Sequence, residues 1–239
     1  MSGLLYKNLR INFSSCLLIL IVALVCCAIA CVAPILGGPE FMTENDGAMM
    51  LAVLYYFVFM MPSLTSNLLF ESDESRTASA FAMSLPQCGK GHIESKYWYI
   101  LIQYLAVLFI TFITDTIIYG ILDGTFSALI LLIMIFCFRI FISSIEIPFV
   151  IRFGSQKGMA VKGLTFAFIF FLVMIYFMFG DISWLINSDE PLKAFMKWLQ
   201  RGNILFPLSL FPFFSIALFW LSCKISVNVF RKGAENYEQ

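Results

Sequence analysis

The sequence predicts an all-α polytopic membrane protein, and three observations support this prediction. First, 61% of the 239 residues are hydrophobic and only 13% are charged, whereas a soluble domain has about 45–50% apolar and about 25% charged residues. Second, the chain contains six apolar runs long enough for membrane helices, which need about 20 residues each. Third, lysine and arginine concentrate on one side of these runs. The runs are approximately 16–36, 48–70, 97–119, 125–148, 163–180 and 203–226.

The charge distribution predicts the orientation of the spans. An even number of spans places both termini on the same side. Of the 15 lysine and arginine residues, eleven fall on the side of the termini and three on the opposite side, and Arg139 lies within a span. Because cytoplasmic loops carry an excess of basic residues, we expect both termini in the cytoplasm and one continuous transmembrane domain over residues 1–239.

The sequence also contains two amphipathic segments outside the spans, one before the first span and one between the fifth and the sixth. Residues 1–15 predict a short helix on the inner leaflet, since apolar and polar positions alternate at helical spacing. A cleaved signal peptide is the competing interpretation, but cleavage would remove the first span. Residues 181–202 predict an external amphipathic helix with Pro191 in its first turn, either interfacial or re-entrant.

The long polar stretch 71–96 separates the second and third spans. Ser72 is a suitable N-cap, and Asp73 and Glu74 fall in the first turn of a predicted helix, where the helix dipole favours acids. Phe81 adds an apolar side chain for a partner's groove, and Pro86 ends the helix. We therefore interpret 71–96 as a cytoplasmic loop that binds a soluble partner.

The sequence contains no recognisable catalytic or metal site. The single histidine, His92, lies in the polar loop, and neither a zinc-protease HExxH motif nor a phosphate-binding P-loop is present. Six of the seven cysteines lie in apolar runs, which favours small apolar filler over a disulfide framework. We expect no catalytic residue, no bound metal and no cofactor in this chain.

Three charged residues lie within the predicted spans: Asp115, Arg139 and Glu146. An ionisable residue in a membrane span is a functional candidate by default, so these are candidates for a pathway or a gate. A direct Asp115–Arg139 pair is not expected, because the two differ in depth. The length of the Arg139 side chain allows it to extend toward Glu146 and the cytoplasm, and structural anchoring is favoured over contact with a substrate or a gate.

Three segments resemble bacterial ABC-2-type permeases. They are LLYKNL at 4–9, which resembles the N-terminal start of that family, SLPQCGKGHIESKYW at 84–98, which follows the second span, and IPFVIRFGSQKG at 147–158, which follows the fourth. The small permeases of phenol-soluble-modulin and antimicrobial-peptide exporters are the most similar subgroup. The loop at 87–92 is less basic than in the family's usual pattern.

The resemblance implies a type V exporter-like fold with six transmembrane helices, an N-terminal interfacial helix and cytoplasmic coupling helices. It also implies two ATP-binding subunits that carry ATP and Mg²⁺, and a second permease subunit, identical or different. Membrane lipid would surround the complex in the bacterial cytoplasmic membrane, and no nucleic acid is involved. The residues implied to contact the ATP-binding subunit are Ser72, Asp73, Glu74, Arg76, Phe81, Arg152 and Lys157.

The function expected from this resemblance is export of an amphipathic peptide, a toxin or an antimicrobial peptide, powered by the partner subunits. Export of a lipid or drug-like molecule by the same machinery is the first alternative. Two alternatives of other classes are a non-transporting membrane scaffold or immunity protein and an ion-coupled carrier. Genes for ATP-binding subunits next to the gene of this chain would argue against a scaffold. Transport driven by an ion gradient without ATP would indicate a carrier.

Overall fold

In the computed structural model, every regular element of the described residues is a helix. The described residues are 2–43, 45–71, 90–121, 128–179 and 202–235. In a bilayer the backbone must satisfy its hydrogen bonds internally, and a helix does so within one segment. The helices are α1 (Ser2–Ile11), α2 (Phe13–Thr43), α3 (Asn45–Glu71), α4 (Lys90–Ile121), α5 (Leu129–Phe153), α6 (Ser155–Phe179) and α7 (Gly202–Glu235).

Within the described part of the chain, 5 helices are long and apolar enough to cross a membrane. The crossing segments are Phe13–Ala33, Met49–Ser66, Lys90–Ile121, Leu129–Phe153 and Ser209–Arg231. In α6 the apolar segment Gly163–Tyr176 is shorter than these. The structure therefore supports a multi-span helical membrane protein, and the sixth span remains a prediction.

Helix α4 is the central element of the bundle. It packs against α1, α2, α3, α5 and α7, and its buried positions run from Gly91 to Ile118. Among them Tyr99, Ile100, Tyr104 and Val107 are completely buried. One face of α4 thus contacts five other helices, whereas large side chains on its other face, such as Trp98 and Phe109, are exposed. Through the buried face α4 positions its neighbours relative to one another.

Small residues bring α2 close to the bundle. Ala23 and Ala30 are fully buried, and Cys26 and Cys27 are nearly so. The other positions of α2 are largely exposed aliphatic side chains, including Leu24. Because small side chains allow membrane helices to approach closely, α2 presents this face to α3 and α4 and its aliphatic face to lipid.

The helix ends differ from those that the sequence predicts. Residues 90–96, which the sequence places in the loop, form the first turns of α4. The segment 37–47, which reads as a turn-rich outer loop, is helical up to Thr43 and again from Asn45. The remainder of the coupling segment, 72–89, and the external segment up to residue 201 lie outside the described residues.

Candidate functional site

A sharp turn at Gly154 joins α5 to α6. Gly154 has φ 88° and ψ 167°, and its N–H donates to the Val150 carbonyl oxygen over 2.8 Å. A positive φ of this size is strained for any residue with a Cβ, so glycine is needed here. The turn ends α5 after Phe153 and begins α6 at Ser155 without an intervening loop.

An exposed aromatic pair and two exposed basic residues lie on either side of this turn in the chain. The rings of Phe149 and Phe153 stack with centroids 6.0 Å apart, and the two residues are 41% and 45% exposed. Arg152 lies over the Phe153 ring at 5.2 Å, and both Arg152 and Lys157 are exposed. We call these four residues the elbow surface: Phe149, Arg152, Phe153 and Lys157.

The elbow surface lies at the same end of the bundle as α1. Asp115, near the end of α4, accepts a hydrogen bond from the Ala128 N–H at 2.9 Å, so the last turns of α4 meet the start of α5. Helices α4 and α5 therefore run in opposite directions. The end of α5, with the elbow surface, returns to the end where α4 begins.

Lys96 joins the end of α3 to the start of α4, on either side of residues 72–89 in the chain. Its Nζ donates to the Leu69 carbonyl oxygen at 3.1 Å and lies 4.5 Å from the centre of the Phe70 ring. Lys96 is only 2% exposed. A cation at the C-terminus of a helix satisfies a terminal carbonyl and interacts favourably with the helix dipole. Lys96 thus holds the end of α3 against the start of α4.

The seven residues predicted to contact an ATP-binding subunit fall into two groups. Arg152 and Lys157 are on the elbow surface and exposed. The others lie in 72–89, outside the described residues, and their contacts stay a prediction: Ser72, Asp73, Glu74, Arg76 and Phe81.

Helix α1 is anchored to the start of α4 through a polar contact. The Asn8 side-chain amide donates to Ser95 Oγ at 3.1 Å, and Ser95 Oγ donates to the His92 carbonyl oxygen at 2.7 Å. Asn8 and Ser95 are both buried. The His92 ring packs against Phe230 of α7, with 6.2 Å between centroids. The N-terminal helix α1 and the last helix α7 therefore both contact the first turns of α4.

Two further polar groups join α4 to its neighbours. The Tyr97 hydroxyl lies 2.7 Å from Ser222 Oγ and 2.8 Å from Ser226 Oγ of α7. One turn away, Gln103 donates to the Tyr99 hydroxyl at 2.8 Å, and its carbonyl oxygen accepts from Thr65 of α3 at 3.3 Å. Hydrogen bonds between membrane helices replace water contacts that the bilayer cannot supply.

Arg139 is buried in the middle of the bundle instead of extending to the cytoplasm. It is 1% exposed, and its Nε donates to the Phe59 carbonyl oxygen of α3 at 3.2 Å. The guanidinium carbon lies 5.8 Å from the centre of the Tyr56 ring and 5.9 Å from that of Phe166. The side chain therefore does not reach a solvent-exposed position, and its hydrogen bond goes to the main chain of α3.

Glu146 of α5 and Tyr104 of α4 are both buried at the face of α5 that carries Arg139. Tyr104 is completely enclosed, Glu146 is 3% exposed, and the Tyr104 hydroxyl lies 3.0 Å from Ser143 Oγ. Tyr104 also bonds Ser63 of α3 and interacts electrostatically with both Arg139 and Glu146. The structure therefore brings Arg139 and Glu146 into one buried polar cluster.

Asp115 is separate from that cluster. Its carboxylate accepts from the Ala128 N–H at the start of α5, and it interacts electrostatically with Tyr55 of α3. This contact supplies an acceptor and a negative charge at a helix N-terminus. The structure assigns Asp115 a structural contact that sequence reasoning did not anticipate.

Several of these contact residues were missed because the sequence places the start of α4 in a loop. A helical reading of the region shows Ser95, Tyr99 and Gln103 four residues apart, hence on one face. That spacing was the available signal. Among the described residues, no group of three or more His, Cys, Asp or Glu side chains is arranged to hold a metal ion.

Comparison with known proteins gives one match. A family model described as "ABC-2 family transporter protein" matches residues 4–231. No curated protein and no solved structure matches the chain.

Proposed function

Because this chain belongs to the ABC-2 family of transporter proteins, we propose that it exports an amphipathic substrate, a peptide toxin or antimicrobial peptide, from a bacterial cell. Membership makes the chain a multi-pass membrane permease of an ABC transporter, which associates with ABC ATP-binding subunits. The direction of transport and the substrate are the proposal. Two ATP-binding subunits and a second permease subunit, identical or different, would complete the complex.

The elbow surface is the observation that carries this proposal. It combines exposed aromatic rings, which bury large areas in protein contacts, with two exposed cations at a turn of fixed geometry. Such a surface suits a soluble partner whose contact region is apolar at its centre and acidic at its edge. A rigid turn also transmits movement, since α5 leads directly from it to the buried cluster around Arg139.

The orientation follows from the same surface. ATP-binding subunits act in the cytoplasm, so the elbow surface would lie on the cytoplasmic side, together with α1 and both termini. This agrees with the excess of basic residues on that side. The part of α6 that follows Lys162 carries no charge up to Phe179, which gives about 25 Å at 1.5 Å per residue, near the lower limit for a membrane helix. We therefore count α6 as the sixth span.

ATP hydrolysis would take place in the partner subunits, since the sequence contains no P-loop. The segment 72–89 would provide a second contact, with Asp73, Glu74 and Phe81 facing the partner. Its two ends are joined by the Lys96–Leu69 hydrogen bond, so movement of the segment would shift α3 and α4 together.

An amphipathic substrate fits the apolar surface that the helices present to the bilayer. Large exposed side chains cover α6, including Phe168, Phe170 and Phe171, and a substrate that partitions into the leaflet could approach the bundle along them. Export of a lipid or drug-like molecule by the same route is the alternative. A series of candidate substrates in one assay distinguishes the two.

The proposal is tested by purifying the chain with ATP-binding subunits encoded beside it and measuring ATPase activity with added amphipathic peptides. We expect co-purification and peptide-stimulated hydrolysis. The double variant Arg152→Glu/Lys157→Glu should lose both, because charge reversal repels an acidic partner surface. Reversal of Asp73 and Glu74, or Phe81→Ala, should uncouple hydrolysis from the peptide.

Lys224→Glu is the matched control, since this exposed cation lies on α7, over Trp220, and is not one of the four residues of the elbow surface. It should behave as the wild type. A complex that forms and is stimulated equally in the Arg152/Lys157 double variant would rule out the elbow as a docking surface. A chain that binds its partner without any stimulated hydrolysis would indicate a scaffold.

A further inference from the structure

The guanidinium of Arg139 has hydrogen-bonding capacity that the described part of the chain does not use. Nε is bonded to Phe59, but neither Nη1 nor Nη2 has a hydrogen-bond partner among the described residues. Both nitrogens are buried, and the residue is 1% exposed. Arginine keeps its charge under all ordinary conditions. Leaving charged donors buried without acceptors is strongly unfavourable, so an absent acceptor is the simplest explanation.

The neighbouring rings stabilise the charge but cannot fill this role. Tyr56 and Phe166 lie 5.8 and 5.9 Å from the guanidinium carbon, distances at which a cation is attracted by an aromatic face. A ring face does not accept the in-plane hydrogen bonds of a guanidinium. The fork formed by Nη1 and Nη2 matches two oxygens of one carboxylate or phosphate.

We propose that Arg139 binds the anionic head of an amphiphile, a carboxylate or a phosphate, that enters the bundle between α3 and α6. The bond from Nε to Phe59 fixes the orientation of the fork, so the site is preorganised. Tyr56 belongs to α3 and Phe166 to α6, so the guanidinium of Arg139, on α5, lies between these three helices. Tyr56 is itself 36% exposed, so one side chain separates the cation from the lipid.

The depth of Arg139 indicates a site for a molecule that is crossing the membrane, and not a site for a resident lipid. Arg139 is ten residues after Leu129 and fourteen before Phe153, about 15 Å and about 21 Å along the helix. Head groups of a flat leaflet lie at the edge of a hydrocarbon core about 30 Å thick, far from this point. An anionic head reaches Arg139 only while it crosses the membrane.

Glu146 does not occupy the site in place of a ligand. It is seven residues further along α5, about 10 Å toward the end with the elbow surface, and the Arg139 Nη atoms make no hydrogen bond to it. Its negative charge disfavours an anion anywhere between Arg139 and the elbow, which is consistent with entry of the head from the side, between α3 and α6. The identification of the bound amphiphile as cargo rests on the proposed export function, whereas binding itself does not.

The test is equilibrium binding to the purified full chain in zwitterionic phosphatidylcholine nanodiscs, without ATP or partner subunits. The probes share one tail and differ in the head: dodecanoate, dodecyl phosphate, dodecanol and dodecyltrimethylammonium, with inorganic phosphate as a tail-free anion. The variants are Arg139→Gln, Arg139→Lys and, as a control for loss of an exposed cation, Lys224→Gln. Elution volume and circular dichroism establish that each variant is folded.

We expect the wild type and Lys224→Gln to bind at least one of the two acids about tenfold or more tightly than dodecanol. Arg139→Gln should lose this preference and keep the dodecanol affinity. Arg139→Lys should show a reduced preference, because an ammonium keeps the charge but not the fork; this variant serves if Arg139→Gln does not fold. Binding of only one acid would support the site and assign its head group.

A preference for the acids that survives in Arg139→Gln would overturn the proposal. Inorganic phosphate binding as tightly as dodecyl phosphate would also overturn it, because the site would then take anions from water. Since neither ATP nor partner is present, a negative result leaves the export function standing. Failure of ATP-driven export, conversely, would not remove a head-group preference measured here.

Discussion

The Nε of Arg139 in α5 donates to the main-chain oxygen of Phe59 in α3 across 3.2 Å. Phe59 precedes Pro62, which lies inside α3 and lacks the N–H that a helix needs for its hydrogen bond to the preceding turn. A helix distorted by proline inside a membrane must have its freed carbonyl groups satisfied by neighbours. The carbonyl that Pro62 leaves without an N–H donor is that of Val58, four residues earlier, and Arg139 donates to the next carbonyl, that of Phe59. Arg139 therefore joins α5 to α3 within one turn of the proline.

Lys96→Met should destabilise the protein by about 1–3 kcal/mol. The substitution removes the donor to the Leu69 carbonyl oxygen in a buried setting, and an unsatisfied buried carbonyl costs that much. The measurement is equilibrium unfolding in mixed detergent micelles. Lys90→Met is the control, since the Lys90 side chain is 60% exposed in its pair with Glu94. Equal effects in both variants would refute a special role for Lys96.

Tyr97→Phe should cost about 0.6–2 kcal/mol, the range for a hydrogen bond between membrane helices. The ring still packs against Phe219, at 5.0 Å between centroids, so the loss isolates the hydroxyl bonded to Ser222 and Ser226. Unfolding in detergent reports the change. Tyr119→Phe, at a residue 48% exposed, should be neutral. A neutral Tyr97→Phe would mean that α7 is held by apolar packing alone.

Asn8→Ala should loosen α1 from the bundle. The variant loses the hydrogen bond to Ser95, and a ten-residue helix is not stable by itself in water. Limited trypsin digestion of the purified protein measures the release, through faster cleavage after Lys7 and Arg10. Tyr6→Ala, at a residue 65% exposed, should be cleaved at the wild-type rate. Unchanged cleavage of Asn8→Ala would show that α1 is anchored elsewhere.

Asp115→Asn should retain transport and most of the stability. An asparagine oxygen still accepts from the Ala128 N–H, and Asn and Asp are comparable helix caps. Asp115→Ala, which removes the acceptor, should cost about 0.5–2 kcal/mol. Unfolding and ATP-driven transport are measured for both variants. If Asp115→Asn folds normally but abolishes transport, the charge of Asp115 acts in the gate.

The broad architecture could be predicted from the sequence because apolar runs and basic residues are strong signals. Membership of the ABC-2 family, which three short motifs indicated, is confirmed by the match over residues 4–231. Helix ends were less predictable. Gly37, Gly38 and Pro39 suggest a turn, yet α2 continues to Thr43.

The roles of single polar residues could not be predicted, because they depend on partners far away in the sequence. Lys96 reads as a loop cation, but its acceptor is Leu69, 27 residues earlier. Arg139 reads as a side chain that extends along its own helix, but Phe59 is 80 residues away. Periodicity shows which residues share a face, and only the packing of the helices shows what that face meets.

The most direct test of the account is ATP-driven accumulation of a labelled amphipathic peptide in inverted membrane vesicles. Vesicles would contain the ATP-binding subunits with either the wild-type chain or the Arg152→Glu/Lys157→Glu variant. We predict that wild-type vesicles accumulate peptide only when ATP is supplied and that the variant does not. Accumulation in ATP-depleted vesicles under an ion gradient, or equal ATP-driven accumulation by the elbow variant, would contradict the account.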